Sequence, residues 1–589
     1  MADRSSRKAT LLLVALTLVV GWSRTIGLNQ LLPQQHEPDH YAVYQAQFLQ
    51  AVAAGEVKDL VEYFGEGGVR FFYYYPLHIA RLWLLGGRPA PAAGALGEDT
   101  LDVHLRAASE PLLRGRRWSA WLSALIVPGV YLLARRFLGP WPSLLAAALA
   151  GTSMLHLVAA GQAKPHAIAA SAAAFGLWGT TTMRRHPTPA GLALGGLCLA
   201  LGVCALHNGG VLLAAGVTAF FLRDRAAQRG SVLAWAIPVA SLVAVYAWLS
   251  PGVLIPPPED SQQSYEGLRI EDGALVGMGH SISLGLFAFS RPWDPFAWLW
   301  WNDPAHLVAA GLGLMALLAG MRGADAARRR DAWVLAAHAL PYTLVLASYS
   351  KAFDRYALPL LPHLCVLGSA GVAWVVEAAA RRRPSARARL AAASAALVLA
   401  LPVAGQVALL RLRTRPDTLE EAARWVRAQV PPGGEAPLVA VGPGVVLPLA
   451  YHPSDLGAAF EAWRSNPWLA YQAGLDADRA AVDGWRFETL PQFGTAAREL
   501  AEPERTLAWV RGLGVRYLIL EESQRTRALR PAFENLYDAV GKEGRLVERF
   551  LPRPDPQLPF LDFGDNPRML ARTLTQERLG PPIEVWRID

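Results

Sequence analysis

Eleven apolar stretches, most about as long as a membrane-crossing helix, constrain this chain more than any other feature; the sixth is short, and the fifth and sixth can be read as one broken pair around 207–210. A spanning helix needs about 20 apolar residues. The stretches lie near 9–30, 117–138, 141–160, 165–183, 189–206, 208–222, 231–250, 304–321, 332–348, 357–378 and 390–410. A water-soluble chain of 589 residues would divide into about four domains. The placement of charge argues otherwise. Residues 414–589 carry 46 charged side chains in 176 positions, whereas residues 1–413 carry only 58. The second density is too low for a surface that faces water. We therefore expect a polytopic α-helical membrane protein, with about 11 transmembrane helices over 1–413, followed by a soluble α/β domain over 414–589. Intrinsic disorder, a collagen-like repeat and a small disulfide scaffold are excluded by the same composition.

The net charge is +8. It arises from arginine rather than lysine, of which there are five, and it clusters between the apolar runs. Such clusters mark cytoplasmic loops, so nucleic acid is not an expected partner. The clusters are Arg4, Arg7 and Lys8; Arg135 and Arg136; Arg184 and Arg185; Arg223, Arg225 and Arg229; 328–330; and 381–383. With eleven spans, all of them fall on one side. The stretch 281–301 is apolar and aromatic but holds Arg291, Pro292 and Asp294. Counting it as a span would put 328–330 on the wrong side, so it reads as interfacial or re-entrant on the outer face. Residues 31–116 and 251–280 become outer loops, and the soluble part lies outside. Residues 11–20 follow basic residues, but no small-residue cleavage site comes after them, so the first span is expected to stay attached. Cys198, Cys204 and Cys365 all sit in apolar runs and are expected to be free thiols.

In the soluble part, Asp417 and Glu420 form a capping-box pattern ahead of Ala422, Ala423, Trp425 and Val426, and 431–434 ends that helix. Strands are expected at 438–441, 515–520 and 583–588. The run Gly442-Pro443-Gly444 lacks the rest of a dinucleotide fingerprint and reads as a turn.

Polar residues that can carry chemistry gather at the outer face. His36-Glu37-Pro38-Asp39-His40 matches the zinc-protease pattern H-E-x-x-H, but that pattern needs a continuous helix, and Pro33 and Pro38 interrupt this segment. A second reading is a carboxylate placed where membrane meets water. Glu37 or Asp39 would act there as general base or hold a divalent cation. A third is a solvated loop. At the same face lie Lys164 and His166 in the turn before the fourth span, and His207 and Asn208 between the fifth and sixth. Lys351, Asp354, Arg355 and Tyr356 lie at the start of the tenth. Each alone reads as a helix-end residue. Together they make a cationic rim opposite a carboxylate, suited to a phosphate held near the bilayer. His156 and His338 fall within spans and read as buried, hydrogen-bonded structural histidines.

Four segments carry a resemblance. They are His36-Glu37-Pro38-Asp39-His40-Tyr41, Phe71-Phe72-Tyr73-Tyr74-Tyr75-Pro76-Leu77, Ala163-Lys164-Pro165-His166 and Arg355-Tyr356-Ala357-Leu358-Pro359-Leu360-Leu361-Pro362. In order and topology these resemble the GT-C membrane glycosyltransferases that use polyprenyl-phosphate sugars, such as protein O-mannosyltransferases and the aminoarabinose transferase of lipid A. The resemblance covers about residues 1–410. It implies a GT-C type bundle in the inner (plasma) membrane, with a cytoplasmic N-terminus and a periplasmic or extracellular C-terminal domain. It implies transfer of a hexose- or pentose-type sugar, with inversion, from a polyprenyl-phosphate donor to a lipid, glycan or protein acceptor on the outer face.

The residue roles follow by the same resemblance. Asp39 would be the catalytic base, with Glu37 as a second acidic residue. The family usually has Glu where this chain has His40. Either Glu37 then completes a divalent metal site with Asp39, or the site works without a metal. Lys164 and Arg355 would hold the donor phosphate, with His166 and Tyr356 beside them. His40, Tyr75, His207 and Asn208 would line the donor or acceptor pocket. Lys164, Lys351 and Arg355 are the few basic residues of the membrane part expected on the outer side. A lipid or sugar transporter and an inactive scaffold are the competing readings. A transporter commonly shows internal repeats and a midplane site. No clear repeat links the two halves here, and the polar residues sit at one face.

Overall fold

Each apolar stretch is helical where the structure describes it. The computed structural model describes residues 2–33, 94–228, 232–249, 269–271, 274–277, 280–283, 292–320, 325–349, 354–442, 445–462, 466–475, 480, 483–490, 503–522, 531–553 and 569–588. The first stretch forms α1 (Ala2–Arg24). The second forms α2 (Leu101–Ala124) and α3 (Ile126–Ala134), the third α4 (Pro140–Thr152) and α5 (Met154–Ala160). Then come α6 (His166–Arg185), α7 (Pro189–Cys204), a 3-10 turn His207–Val211, α8 (Leu212–Phe221) and α9 (Ala236–Leu249). A short antiparallel meander follows, made of β1 (Arg269–Glu271), β2 (Ala274–Gly277) and β3 (His280–Ser283). The membrane part closes with α10 (Asp294–Asn302), α11 (Pro304–Gly320), α12 (Ala326–Ser348), a 3-10 segment Asp354–Leu360, α13 (Leu361–Ala380) and α14 (Arg387–Arg413).

Among the described residues, three helical segments are long and apolar enough to cross a membrane alone: Leu101–Ala134, Asp354–Ala380 and Pro384–Gln429. Counting each bent pair as one span raises this to five. The expected eleven is therefore not reached by length and composition, because Pro189–Cys204, Asn208–Phe221 and Val232–Tyr246 are apolar but short.

The bends have local causes. α4 and α5 meet at 53° at Ser153. There the buried Asp303 carboxylate accepts from Ser153 Oγ at 2.7 Å and from Met154 N at 2.7 Å, capping the new helix start. α10 turns by 119° into α11, as suits a segment lying across the bundle. Elsewhere glycine lets helices touch. A Cβ at Gly179 of α6 would sit 2.8 Å from Gly195 O of α7, so only small residues fit that crossing.

One end of the bundle is tied by charge. The buried Asp331 carboxylate at the start of α12 accepts from Arg184 Nε at 2.5 Å and Arg185 Nε at 2.6 Å at the end of α6. Arg185 also donates to Arg136 O at 3.0 Å. Three basic clusters that charge placement assigned to one side therefore meet at one end.

The C-terminal part begins with α15 (Thr418–Gln429), capped by Asp417, whose carboxylate accepts from Glu420 N at 2.9 Å. Its sheet runs in the order β5-β4-β6-β8-β7, from β4 (Val439–Val441), β5 (Phe487–Thr489), β6 (Tyr517–Glu521), β7 (Arg545–Phe550) and β8 (Ile583–Arg587). β5, β4 and β6 are parallel; β8 pairs antiparallel with β6, and β7 antiparallel with β8 at the edge. The three strands expected from sequence are β4, β6 and β8. β4 and β6 are almost continuously apolar because both faces are covered, whereas β8 sets Glu584 and Arg587 among Ile583, Val585 and Trp586. Leu96, Leu101 and Ala108 join this core, so the first half of α2 packs with the C-terminal sheet. His104 Nδ1 of α2 and Tyr471 Oη lie 2.9 Å apart across that join.

Candidate active site

The 3-10 segment Asp354–Leu360 is the meeting point of the predicted site residues the structure describes. Pro359 lies inside this segment, which holds Arg355 and Tyr356 on a short tight turn, and Pro362 sits in the first turn of α13, where its missing N–H has no helical partner to lose. Asp354 Oδ1 accepts from Arg355 N at 2.7 Å and fixes that turn. The Tyr356 ring is buried and stacks on His166, with centroids 5.5 Å apart and an interplanar angle of 27°. The half-buried Arg355 guanidinium lies over the Tyr356 ring at 5.6 Å, in cation–π geometry.

His166 is the first residue of the 20-residue α6. Lys164, two residues earlier, is 1% exposed. A helix start carries partial positive charge, so this corner presents Arg355, Lys164 and a helix N-terminus together. The ring stack of His166 on Tyr356 ties the start of α6 to the 354–360 turn.

Asn208 joins from the turn after α7. Its Nδ2 donates to Tyr342 Oη at 2.6 Å, and Tyr342 Oη donates to Tyr356 O at 2.9 Å. Sequence reasoning missed Tyr342, which is fully buried, and Tyr349, whose ring lies 6.1 Å from that of Tyr356. The signal was present, since a tyrosine hydroxyl inside an apolar run needs a partner. Which partner depends on packing between helices far apart in sequence.

His156 and His338 are buried and hydrogen-bonded, as expected. His156 Nδ1 lies 2.9 Å from Arg24 Nη2 and its Nε2 lies 3.0 Å from Ala167 O. His338 Nδ1 lies 2.9 Å from His363 Nε2. His207 opens its 3-10 turn. Glu37, Asp39, His40, Tyr75 and Lys351 lie outside the described residues. Among the described residues, no group of three or more His, Cys, Asp or Glu is arranged to hold a metal ion. All three cysteines are buried thiols.

One expectation is corrected. Basic residues were expected to be rare at this end of the membrane part, yet Arg24, Arg116 and Arg413 are buried there. The Arg413 guanidinium packs against Gly161, in the turn that carries Lys164. They were overlooked because each sits beside an apolar run and resembles a snorkelling helix end.

No protein-family model matches the chain, and no curated protein matches it in sequence. Among solved structures the chain is similar to the archaeal oligosaccharyltransferase AglB from Archaeoglobus fulgidus, in complex with an inhibitory peptide and a dolichol-phosphate. The identity is 11% and the TM-score 0.44, over 92% of this chain and 73% of that one. It is similar to ArnT from Cupriavidus metallidurans bound to undecaprenyl phosphate, at 15% identity and a TM-score of 0.41, over 88% and 94%. A weaker likeness, at 14% identity and a TM-score of 0.28 over 42% and 32%, is to the protein O-mannosyltransferase Pmt1-Pmt2 complex of S. cerevisiae bound to the sugar donor. At these identities and scores the likeness carries no activity and no residue role over to this chain.

Proposed function

We propose that this chain is a membrane glycosyltransferase. It moves a sugar, with inversion, from a polyprenyl-phosphate donor to a hydroxyl of a lipid, glycan or protein acceptor on the outer face. The observation that carries the reading is the convergence of Arg355, Tyr356 and His166 at the turn that holds Lys164. Transfer leaves negative charge on the departing lipid phosphate. Cations fixed in a partly dry corner stabilise that charge more than they stabilise the bound donor, which is the condition for catalysis. Arg355 is suited to this because Tyr356 and the 354–360 turn hold it in place before the phosphate arrives.

Asp39 takes the proton from the acceptor hydroxyl, whose oxygen attacks the anomeric carbon opposite the leaving phosphate. Glu37 stands two residues away as a second carboxylate. Two carboxylates are hard oxygen donors of the type that hold a divalent cation, which when bound would supply Lewis-acid stabilisation of phosphate charge. His40, Tyr75, His207 and Asn208 would shape the donor and acceptor pockets.

The test uses purified full-length protein, a panel of polyprenyl-phosphate sugars and mass spectrometry of the products. Asp39→Asn should abolish transfer without changing expression or the melting temperature. Arg355→Gln should lower kcat at least tenfold, because its charge acts mainly on the leaving phosphate. Full transfer by Asp39→Asn would remove the catalytic assignment.

A further inference from the structure

The 354–360 turn that carries Arg355 is gripped by α12 at two points. Near the start of the turn, Tyr342 Oη donates to Tyr356 O at 2.9 Å. One helical turn earlier on α12, His338 Nδ1 lies 2.9 Å from Nε2 of His363, which stands in the first turn of α13, just past the end of the 3-10 segment. Residues four apart share a helix face, so both grips come from one side of α12. The rings pack in series as well. The centroid of Tyr342 lies 5.3 Å from that of His338, and His338 stacks on His363 at 5.2 Å with an interplanar angle of 23°. All three side chains are buried.

The Tyr342 hydroxyl does something that few groups can do. Asn208 Nδ2, 2.6 Å away, can only donate, and Tyr356 O can only accept. A group between them must accept from the first and donate to the second. A hydroxyl does both, and its single proton is thereby committed to Tyr356 O. That carbonyl belongs to the residue whose ring carries the Arg355 guanidinium at 5.6 Å and stacks on His166. A shift of the Tyr356 backbone therefore moves the ring and the charge that lies over it. A misplacement of about 1 Å can cost about a hundredfold in rate.

We propose that Tyr342 and His338 are positioning residues for sugar transfer, holding the turn at both ends so that Arg355 meets the leaving phosphate in one geometry. The proposal rests on the glycosyltransferase reading above. The two residues act through Tyr356 and Arg355 rather than on the sugar or the phosphate.

The experiment measures kcat and the donor KM of purified full-length protein on the donor panel, for wild type, Tyr342→Phe, Arg355→Gln and the double variant. Tyr342→Phe keeps the ring and loses the hydroxyl. We expect kcat to fall at least about tenfold, with the donor KM within about threefold of wild type. In the Arg355→Gln background the same substitution should cost less than about twofold, because no guanidinium is left to place. A merely structural role would lower both backgrounds by the same factor. That result overturns the proposal, as does full activity in Tyr342→Phe. If Tyr342→Phe does not fold, His338→Phe takes its place in the comparison. It keeps a ring between Tyr342 and His363 but loses the hydrogen bond, and it should again lower kcat only where Arg355 is present. Equal losses in the two backgrounds, or none, overturn the proposal here too. Wild-type protein that transfers from no donor overturns the glycosyltransferase reading and this proposal with it, whereas wild-type transfer with equal losses overturns this proposal alone.

Discussion

Asp417 shows how one carboxyl group can be read from sequence in position but not in chemistry. Its role as the cap of α15 is local, fixed by Glu420 three residues on, and so was legible in the capping-box pattern. Its burial beneath the 25–33 segment depends on residues nearly 400 positions away and was not. That burial pushes the carboxyl up to about 7, with the Glu420 charge adding to it, while backbone N–H groups of Glu420, Leu419 and Leu31 oppose the change. The folded state thus keeps a proton that the unfolded chain releases near pH 4. The stability held below pH 4 is lost as pH rises through 7. The loss is at most about 1.4 kcal/mol for each tenfold fall in proton concentration across that range. Asparagine caps as well as aspartate and carries no charge. Asp417→Asn should therefore gain on the wild type by a few degrees between pH 5 and pH 8 in thermal melts of purified protein. A gap that stays constant over that range would show that the buried carboxyl does not titrate there.

At the scale of elements, helix positions were legible because apolar runs are contiguous in sequence. Bends and clamps were not, since they depend on single polar residues meeting across helices. Asp303 bends α4 from α5 although it lies 150 residues beyond Ser153. Asp331 is the clearest clamp, joining the end of α6 to the start of α12. Asp331→Asn would leave Arg184, 1% exposed, without its counter-charge. Breaking one side of a buried pair costs about 3–5 kcal/mol, so the variant should melt well below the wild type. Glu377→Gln breaks the exposed pair with Arg387 and should change stability by less than about 1 kcal/mol. Equal effects from the two variants would mean that burial does not set the strength of the Asp331 clamp.

For the whole molecule, two helices fix which side chains share an end. α6 runs from His166, stacked on Tyr356, to Arg184 and Arg185, held by Asp331. α12 runs the other way, from Asp331 to Tyr342, which holds Tyr356 O. A helix of 20 residues is about 30 Å long, so the two ends are a hydrocarbon thickness apart. Charge placement is the basis on which we propose that the arginine-rich Asp331 end is cytoplasmic. On that proposal the Arg413 end, with α15 and the sheet beyond it, would face outward. Thiol labelling tests this directly, since Cys198, Cys204 and Cys365 are buried and compete little with an introduced cysteine. Arg329→Cys and Arg382→Cys, both at exposed positions, should react with a membrane-impermeant maleimide only after the cells are permeabilised. Gln429→Cys, exposed at the end of α15, should react in intact cells. Labelling of Gln429→Cys only after permeabilisation would invert the topology. The anion-holding corner at Arg355 and Lys164 would then face the cytoplasm, and transfer to an outer-face acceptor would fail with it.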